Sequence, residues 1–193
     1  MGKKRFKAVE LNRLDENTAL KIREWRNQDF VRKSSLTQGV IDEDTHKKWL
    51  SSMRANPDRY LFVCYLDEEP FGVIQLNYDR DLDSVESGEY LISEDFQAMG
   101  YGTILQFFEN RIVYETLGFL SGHGWVLVSN DKNMKMQKRY GSIEGKEMKT
   151  MMINGKACEA VRVDSTQESW KQRDRKRDRL VYRLVEETYE VVR

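Results

Sequence analysis

The stretch that decides the fold is Gln97-Ala98-Met99-Gly100-Tyr101-Gly102, in which two glycines stand at the start of a predicted helix. Residues 90–93 before it predict a strand, and apolar residues at nearly helical spacing predict the helix over residues 100–117. Backbone N–H groups at the start of a helix lack intrahelical partners, and the helix dipole adds positive charge there. Glycine leaves these groups uncovered, which is typical of a loop that binds a pyrophosphate, although glycine also serves such turns for steric reasons alone.

A second segment, from Asn130 to Gly141, follows a predicted strand at residues 125–129 and carries apolar residues on a short predicted helix. In this order, and with a helix between them, the two segments resemble the acetyl-coenzyme A (acetyl-CoA) signature of the GNAT superfamily of N-acetyltransferases. The resemblance extends from about Phe6 to about Trp170. It implies an enzyme that transfers acetyl from acetyl-CoA directly to a primary amine, without a covalent enzyme intermediate.

The order of predicted elements indicates a mixed α/β (α+β) fold: strand, helices, three strands, helix, strand, helix, two strands. The resemblance implies a mainly antiparallel central sheet flanked by helices, with a splayed pair of strands at the cofactor site. The dipeptide Asn154-Gly155 predicts the turn of the last hairpin. We expect an acetyltransferase domain over residues 1–165 and a charged, helical extension over residues 166–193, which is a candidate homodimer contact.

Composition narrows the class of protein. The 193 residues include 32 basic and 32 acidic side chains, so the net charge is zero and no nucleic-acid partner is expected. No long apolar run or signal-peptide pattern occurs, which favours a cytoplasmic protein without a membrane partner. The two cysteines, Cys64 and Cys158, lack metal-ligand spacing, so no metal site is expected and both are interpreted as small buried residues.

The resemblance also implies where the cofactor binds. The pantetheine arm would lie in the gap between residues 90–93 and 125–129, paired with the backbone of residues 91–93. Residues 99–103 would cradle the pyrophosphate. The expected cofactor-binding residues are Leu91, Ile92, Ser93, Gln97, Met99, Gly100, Tyr101, Gly102, Thr103, Asn130 and Asn133.

Attack by an amine on a thioester needs a base to remove a proton, and the strand before the glycine loop offers Glu86 and Glu89. Side chains alternate along a strand, so only one of the two carboxylates faces the amine. If Tyr90 packs into the core, Glu89 points at the acceptor, and we favour it as the base. The alternative is that Glu89 is a solvated strand carboxylate. His46 and His123 are weaker candidates for proton transfer.

Gln137 departs from the family pattern. It aligns with the tyrosine that, in many members, donates a proton to the leaving thiolate, and an amide is not an acid at neutral pH. Its amide could still donate a hydrogen bond to the sulfur. Tyr140, three residues later, is first a core residue and only second a substitute acid. The departure supports an alternative class of protein, a module that binds acyl-CoA without transferring the acyl group.

The N-terminal third holds the evidence on the acceptor. Residues 23–27, 31–33 and 41–49 resemble the branch that contains amino-sugar acetyltransferases of the pseudaminic acid pathway and ribosomal-protein N-terminal acetyltransferases. Arg26 and Arg32 would meet a diphosphate, and Trp25 would stack on a base or sugar. The competing interpretation is that the arginines are solvated and Trp25 is core. The open acceptors are the amine of a nucleotide-linked sugar, a peptide α-amine, and a polyamine or drug amine.

Overall fold

The computed structural model describes residues 2–35, 37–97, 99–140, 142–153, 156–176 and 178–193. Ala98, Gly141 and the predicted turn Asn154-Gly155 lie outside these residues. The helices are α1 (Glu16–Arg26), α2 (Asp29–Ser34), α3 (Glu43–Ala55), α4 (Tyr101–Arg111), α5 (Asp131–Arg139), α6 (Gln167–Gln172) and α7 (Asp178–Tyr182). The strands are β1 (Lys4–Glu10), β2 (Arg59–Leu66), β3 (Glu69–Asp79), β4 (Ser84–Leu91), β5 (Ser121–Leu127), β6 (Ile143–Ile153), β7 (Lys156–Thr166) and β8 (Val185–Val192).

These strands form one sheet in the order β6-β7-β5-β4-β3-β2-β1-β8. Neighbouring strands are antiparallel except in two pairs, β4 with β5 and β1 with β8, which are parallel. The parallel β4–β5 pair needs a crossover, which α4 provides. The predicted mixed α/β fold with a mainly antiparallel sheet is therefore confirmed.

The sheet has a hydrophobic core on each face, because the side chains of β2 and β3 alternate between the two. On one side, which we call the α1 face, α1 and α3 cover residues such as Val63 and Val73. On the other side, the α4 face, α4 covers residues such as Phe62 and Ile74. Side-chain capping fixes the start of two of these helices: Asp15 accepts from the Thr18 N–H at α1, and Asp42 from the Thr45 N–H at α3.

The C-terminal segment differs from its prediction. Residues 167–172 and 178–182 are helical, but residues 185–192 form β8, which pairs with β1, so the expectation of a helix there was wrong. Val185 and Tyr189 are four residues apart, a spacing that puts two side chains on one side of either a helix or a strand. Val185 is buried, and Tyr189 packs against Phe108 on the α4 face. The segment therefore completes the sheet, and its buried residues serve the core of this chain.

Candidate active site

The centre of the sheet opens between β4 and β5. The two strands pair only at Val85 with Gly122 and at Glu86 with His123, and they diverge beyond that point. A cavity of about 350 Å³ lies at the gap and is lined by residues 86–90 of β4 and 123–127 of β5. The predicted splayed pair is therefore present, and a ligand can lie between the strands.

The backbone of β4 shows which of its groups face the gap. The Ile92 N–H donates to the Phe71 carbonyl at 3.1 Å, and the Ile92 carbonyl accepts from Gln28 Nε2 at 2.7 Å. Alternate residues of a strand turn their N–H and C=O groups to opposite edges, so the odd-numbered residues of β4 turn toward β5. In agreement, the Ser87 carbonyl oxygen lies 3.5 Å from where a Cβ on Gly124 would be. Ile92 is thus engaged within the protein, and the backbone of Leu91 faces the gap.

The glycine loop leads into α4. Gly100 is the residue before the first turn of the helix, and its φ of +78° is the left-handed conformation that favours glycine. The Tyr101 ring is buried between Phe71 and Phe96, so this residue can offer a ligand only its backbone. A Cβ on Gly102 would have Leu91 Cδ1 as its nearest neighbour, at 4.0 Å, which leaves the approach to the helix N-terminus open.

The other residues predicted in this loop differ in what they offer. Gln97 and Met99 are exposed. The Met99 N–H donates to the Phe96 carbonyl at 3.3 Å, and the Thr103 N–H donates to the Gly100 carbonyl at 3.1 Å. These two amides are used within the turn, so the N–H groups of Tyr101 and Gly102, at the start of α4, are the donors best placed for an anion.

The second predicted segment also reaches the cavity. Asn130, Asn133 and Gln137 all line it, and Asn130 caps α5 by accepting from the Asn133 N–H at 3.1 Å. The Gln137 amide is held at both ends: Nε2 donates to Gln106 Oε1 at 2.7 Å, and Oε1 accepts from Ser142 Oγ at 3.0 Å. Gln137 is therefore fixed against α4.

Tyr140 is a core residue. It is 2% exposed, and its ring packs against Phe107 and Trp170, with centroids 6.0 and 6.2 Å away. Tyr140 does not line the cavity, so its ring is no substitute for the family's tyrosine acid.

The two candidate bases lie on opposite faces of the sheet. Tyr90 packs into the core of the α1 face, and Glu86 shares that face because it lies an even number of residues away. Glu89 pairs with Ile74 of β3 and so projects on the α4 face. Both carboxylates line the cavity.

His123 lies beside Glu86 at the point where the strands separate. Its Nδ1 is 2.9 Å from Ser84 Oγ, and Ser121 Oγ donates to Ser84 Oγ at 3.1 Å. Burial lowers the pKa of His123, and the charge of Arg162 lowers it further. A neutral imidazole in this position can accept a proton. His46, by contrast, is buried under α1 with Nε2 3.1 Å from the Ala19 carbonyl, and it does not line the cavity.

On the α4 face, Glu89 meets a second carboxyl group. Glu109 is 3% exposed, and burial raises its pKa well above the usual value, with the negative charge of Glu89 acting in the same direction. Gln106 Nε2 donates to Glu109 Oε1 at 3.3 Å, while Glu109 Oε2 is buried and accepts no hydrogen bond. Ionising both of these neighbouring carboxyl groups carries an electrostatic cost, which favours the neutral form of Glu109.

Glu109 is absent from the residues predicted for the site, as are its neighbours Gln106 and Asn110, although all three line the cavity. The sequence does carry a signal for them. The three polar residues are spaced i, i+3 and i+4 in a largely apolar helix, so they share one side of it. Their burial shows that this side faces the gap between the strands.

The predicted acceptor residues separate into two groups. Arg26 lines the cavity, donates from Nη2 to the Thr37 carbonyl at 2.6 Å, and keeps Nη1 buried without a partner. Burial lowers its pKa. Trp25 packs against the core of the α1 face, and Arg32 does not line the cavity but forms an ion pair with Asp29. Only Arg26 of the three is at the cavity.

Among the described residues, the helices are too short or too polar to cross a membrane. A search of curated proteins finds no significant match to the chain. Solved structures do match. Spermidine N-acetyltransferase from Vibrio cholerae, in complex with CoA and spermine, is 16% identical with a TM-score of 0.74, and the match covers 82% of this chain and 95% of that one.

A second solved structure is the N-acetyltransferase PseH from Campylobacter jejuni in complex with acetyl-CoA. It is 20% identical with a TM-score of 0.63, and the match covers 84% of this chain and 99% of that one. At such low identity these two structures show a shared fold.

The family model named acetyltransferase (GNAT) family matches residues 19–138, which is more than half of the chain. The matched range begins in α1, ends in α5 and contains the glycine loop and most of the second predicted segment. The chain therefore belongs to the GNAT acetyltransferase family, and with this the predictions of an acyl-transferring enzyme and of acetyl-CoA as its co-substrate are confirmed.

Proposed function

We propose that the protein transfers the acetyl group of acetyl-CoA to the primary amine of a small molecule, within the cavity between β4 and β5. The proposal rests on three neighbouring features: the cavity, the unpaired edge of β4 that borders it, and the open N-terminus of α4, where Gly102 lies near Leu91 at the end of β4. An elongated donor with an anionic end requires this sequence of sites. The helix start provides anion donors, and the strand edge provides amide partners.

Glu86 is the base in this proposal. It lies on the α1 face, where α1 and α2 leave room for an acceptor, and it borders the cavity beside His123. The neutral imidazole of His123 can assist by taking the proton onward. Glu89, the base favoured from the sequence, projects on the other face beside Glu109 and is assigned to the donor side.

The acceptor is of one of two kinds. The unpartnered Nη1 of Arg26 supports a nucleotide-linked amino sugar, because a buried guanidinium nitrogen gains most from a phosphate or hydroxyl oxygen. The carboxyl groups at the cavity support a polyamine, the class of ligand named for the Vibrio cholerae structure. We place the amino sugar first, since Arg26 is already desolvated and lacks an acceptor for one of its nitrogens.

Calorimetric titration of acetyl-CoA tests the donor site. Gly102→Asp adds a carboxylate at the helix start, where a Cβ fits without a clash, so we expect a folded variant whose affinity for acetyl-CoA falls at least tenfold. Ser51→Asp adds the same charge on an exposed position of α3 and should bind like the wild type. Equal affinity in both variants, or no binding by folded wild-type protein, would refute the proposed donor site.

The variant Arg26→Gln distinguishes between the two kinds of acceptor. If the acceptor is a nucleotide-linked amino sugar, we expect its KM to rise at least tenfold while the KM for acetyl-CoA stays constant. If the acceptor is spermidine, removal of a positive charge should leave its KM unchanged or lower it. Free coenzyme A released with a UDP-linked amino sugar, spermidine and a short peptide provides the assay. Release with the peptide alone would contradict the small-molecule proposal.

A further inference from the structure

We infer that Glu109 is the acid that protonates the departing thiolate of coenzyme A, a role for which Gln137 is chemically unsuited. The inference rests on the proposed acetyl transfer in this cavity. Its basis is the arrangement of Glu109, Glu89 and two glutamine side chains around the gap between β4 and β5.

A directed chain of hydrogen bonds fixes the Glu109 carboxyl group. Ser142 Oγ donates to Gln137 Oε1, so the amide nitrogen of Gln137 turns toward α4 and donates to Gln106 Oε1. The amide nitrogen of Gln106 then faces Glu109 and donates to its Oε1. An oxygen that accepts an N–H is a poor site for a proton. The proton of a neutral Glu109 therefore belongs on Oε2.

Glu109 Oε2 is also the atom to which no side chain donates. It is buried, it accepts no hydrogen bond, and its residue borders the cavity. A side-chain hydrogen bond joins Glu109 to Glu89, so Glu89 is the acceptor that an O–H at Oε2 has within the protein, and a ligand atom in the cavity can take its place. In the proposed reaction, the sulfur of the donor is the atom that gains negative charge in this gap and so needs a proton.

The surroundings keep Glu109 protonated. Burial is the main cause of its raised pKa, and the Glu89 carboxylate on β4 adds to it, while hydrogen bonding by Ser87 and Gln106 opposes it. Cys64 on β2 and Tyr114 beyond the end of α4 also lie near Glu109, and burial is the main cause of the raised pKa of each. None of these groups is a cation, and burial together with Glu89 outweighs the two hydrogen bonds that favour the ionised carboxylate.

Protons are conserved in the proposed acetyl transfer. The neutral amine forms the C–N bond and gives one proton to Glu86, the C–S bond breaks, and the sulfur takes the proton of Glu109. The products are the amide, the free thiol, protonated Glu86 and ionised Glu109. After product release, Glu86 loses its proton to solvent and Glu109 regains one, which restores the starting state.

Glu109→Gln tests the role because glutamine has the same shape but no acidic proton. We expect kcat with acetyl-CoA to fall by roughly 10²-fold or more, with little change in the KM for acetyl-CoA. With acetyl-seleno-CoA, whose selenol is more acidic and leaves without a proton, the defect should shrink toward the wild-type rate. Glu24→Gln, an exposed glutamate of α1, is the matched control and should behave like the wild type with both donors.

A second measurement needs no turnover. Infrared spectra of the wild type at pH 7 should show a protonated carboxyl band that Glu109→Gln removes and Glu24→Gln keeps. If Glu109→Gln fails to fold, ¹³C NMR of glutamate-labelled wild-type protein still decides: the absence of a glutamate carboxyl that remains protonated at pH 7 overturns the inference. An equal defect with both donors also overturns it. Wild-type protein that transfers no acetyl at all would instead refute the proposed function.

Discussion

Replacing Glu109 by glutamine should stabilise the protein, and the gain should grow with pH. Folding holds this carboxyl group in its neutral form, because burial and the Glu89 charge raise its pKa well above the usual value of about 4.5. A raised carboxyl pKa gives stability that is fully present below the unfolded pKa and is lost as pH rises toward the folded pKa. Above pH 4.5 the wild type must therefore retain a proton that the unfolded chain releases, and glutamine removes this cost.

The size of this stability difference follows from the single proton that folded wild-type protein keeps and the unfolded chain releases. Between the unfolded and the folded pKa, the difference in unfolding free energy between variant and wild type should change by about 1.4 kcal/mol per pH unit. Over two pH units between the unfolded and the folded pKa, the variant should gain about 3 kcal/mol on the wild type. His46 and His123 titrate in both proteins, so their contributions cancel in the difference.

Urea denaturation of both proteins at pH 5, 6, 7 and 8 measures this difference, with equal m-values as the check that the comparison holds. Far-ultraviolet circular dichroism verifies that the variant is folded. Parallel stability curves across this range would mean that Glu109 is ionised in the folded protein. That result would refute both the reasoning here and the assignment of Glu109 as an acid.

Further expectations concern the C-terminal segment. Arg173→Met should lower the unfolding free energy by about 3 kcal/mol, because it leaves the buried Asp178 without its ion-pair partner at 2.9 Å. Arg80→Met, which removes an exposed ion pair, is the control and should change the unfolding free energy little. Equal losses for the two variants in urea denaturation would contradict this expectation. Truncation after Leu184 removes β8 and should lower the melting temperature sharply, because β1 loses its parallel neighbour and the core loses Val185; an unchanged melting temperature would mean that the segment is dispensable.

Much of this molecule was predictable because its signals are local. The glycine loop, the helix after it and the strand before it follow from spacing and from the conformational freedom of Gly100. The splayed pair came from the family resemblance. Sequence also predicted that Glu86 and Glu89 alternate, since that depends only on the period of a strand.

What the sequence could not provide is the pairing of distant segments. The choice between helix and strand for residues 185–192 depends on the open edge of β1, which no local pattern reveals. From the sequence alone, Glu109 looks like a solvated residue on the surface of a helix. Only in the folded protein, where α4 packs over the gap, does it meet Glu89 of β4. Trp25 and Arg32 were predicted to bind the acceptor, but neither lines the cavity. Several elements form this cavity, so the position of a residue within its own helix does not show whether its side chain lies there.

The sheet is narrowly connected between β4 and β5. Only the residue pairs at Val85 and Glu86 join its three-stranded leaf, β6-β7-β5, to its five-stranded leaf, β4-β3-β2-β1-β8. A ligand bound between the two leaves would add contacts across this narrow connection and would restrict their relative motion. Slower amide hydrogen exchange along both leaves on binding would then report, far from the acetyl group, how fully the donor occupies the gap.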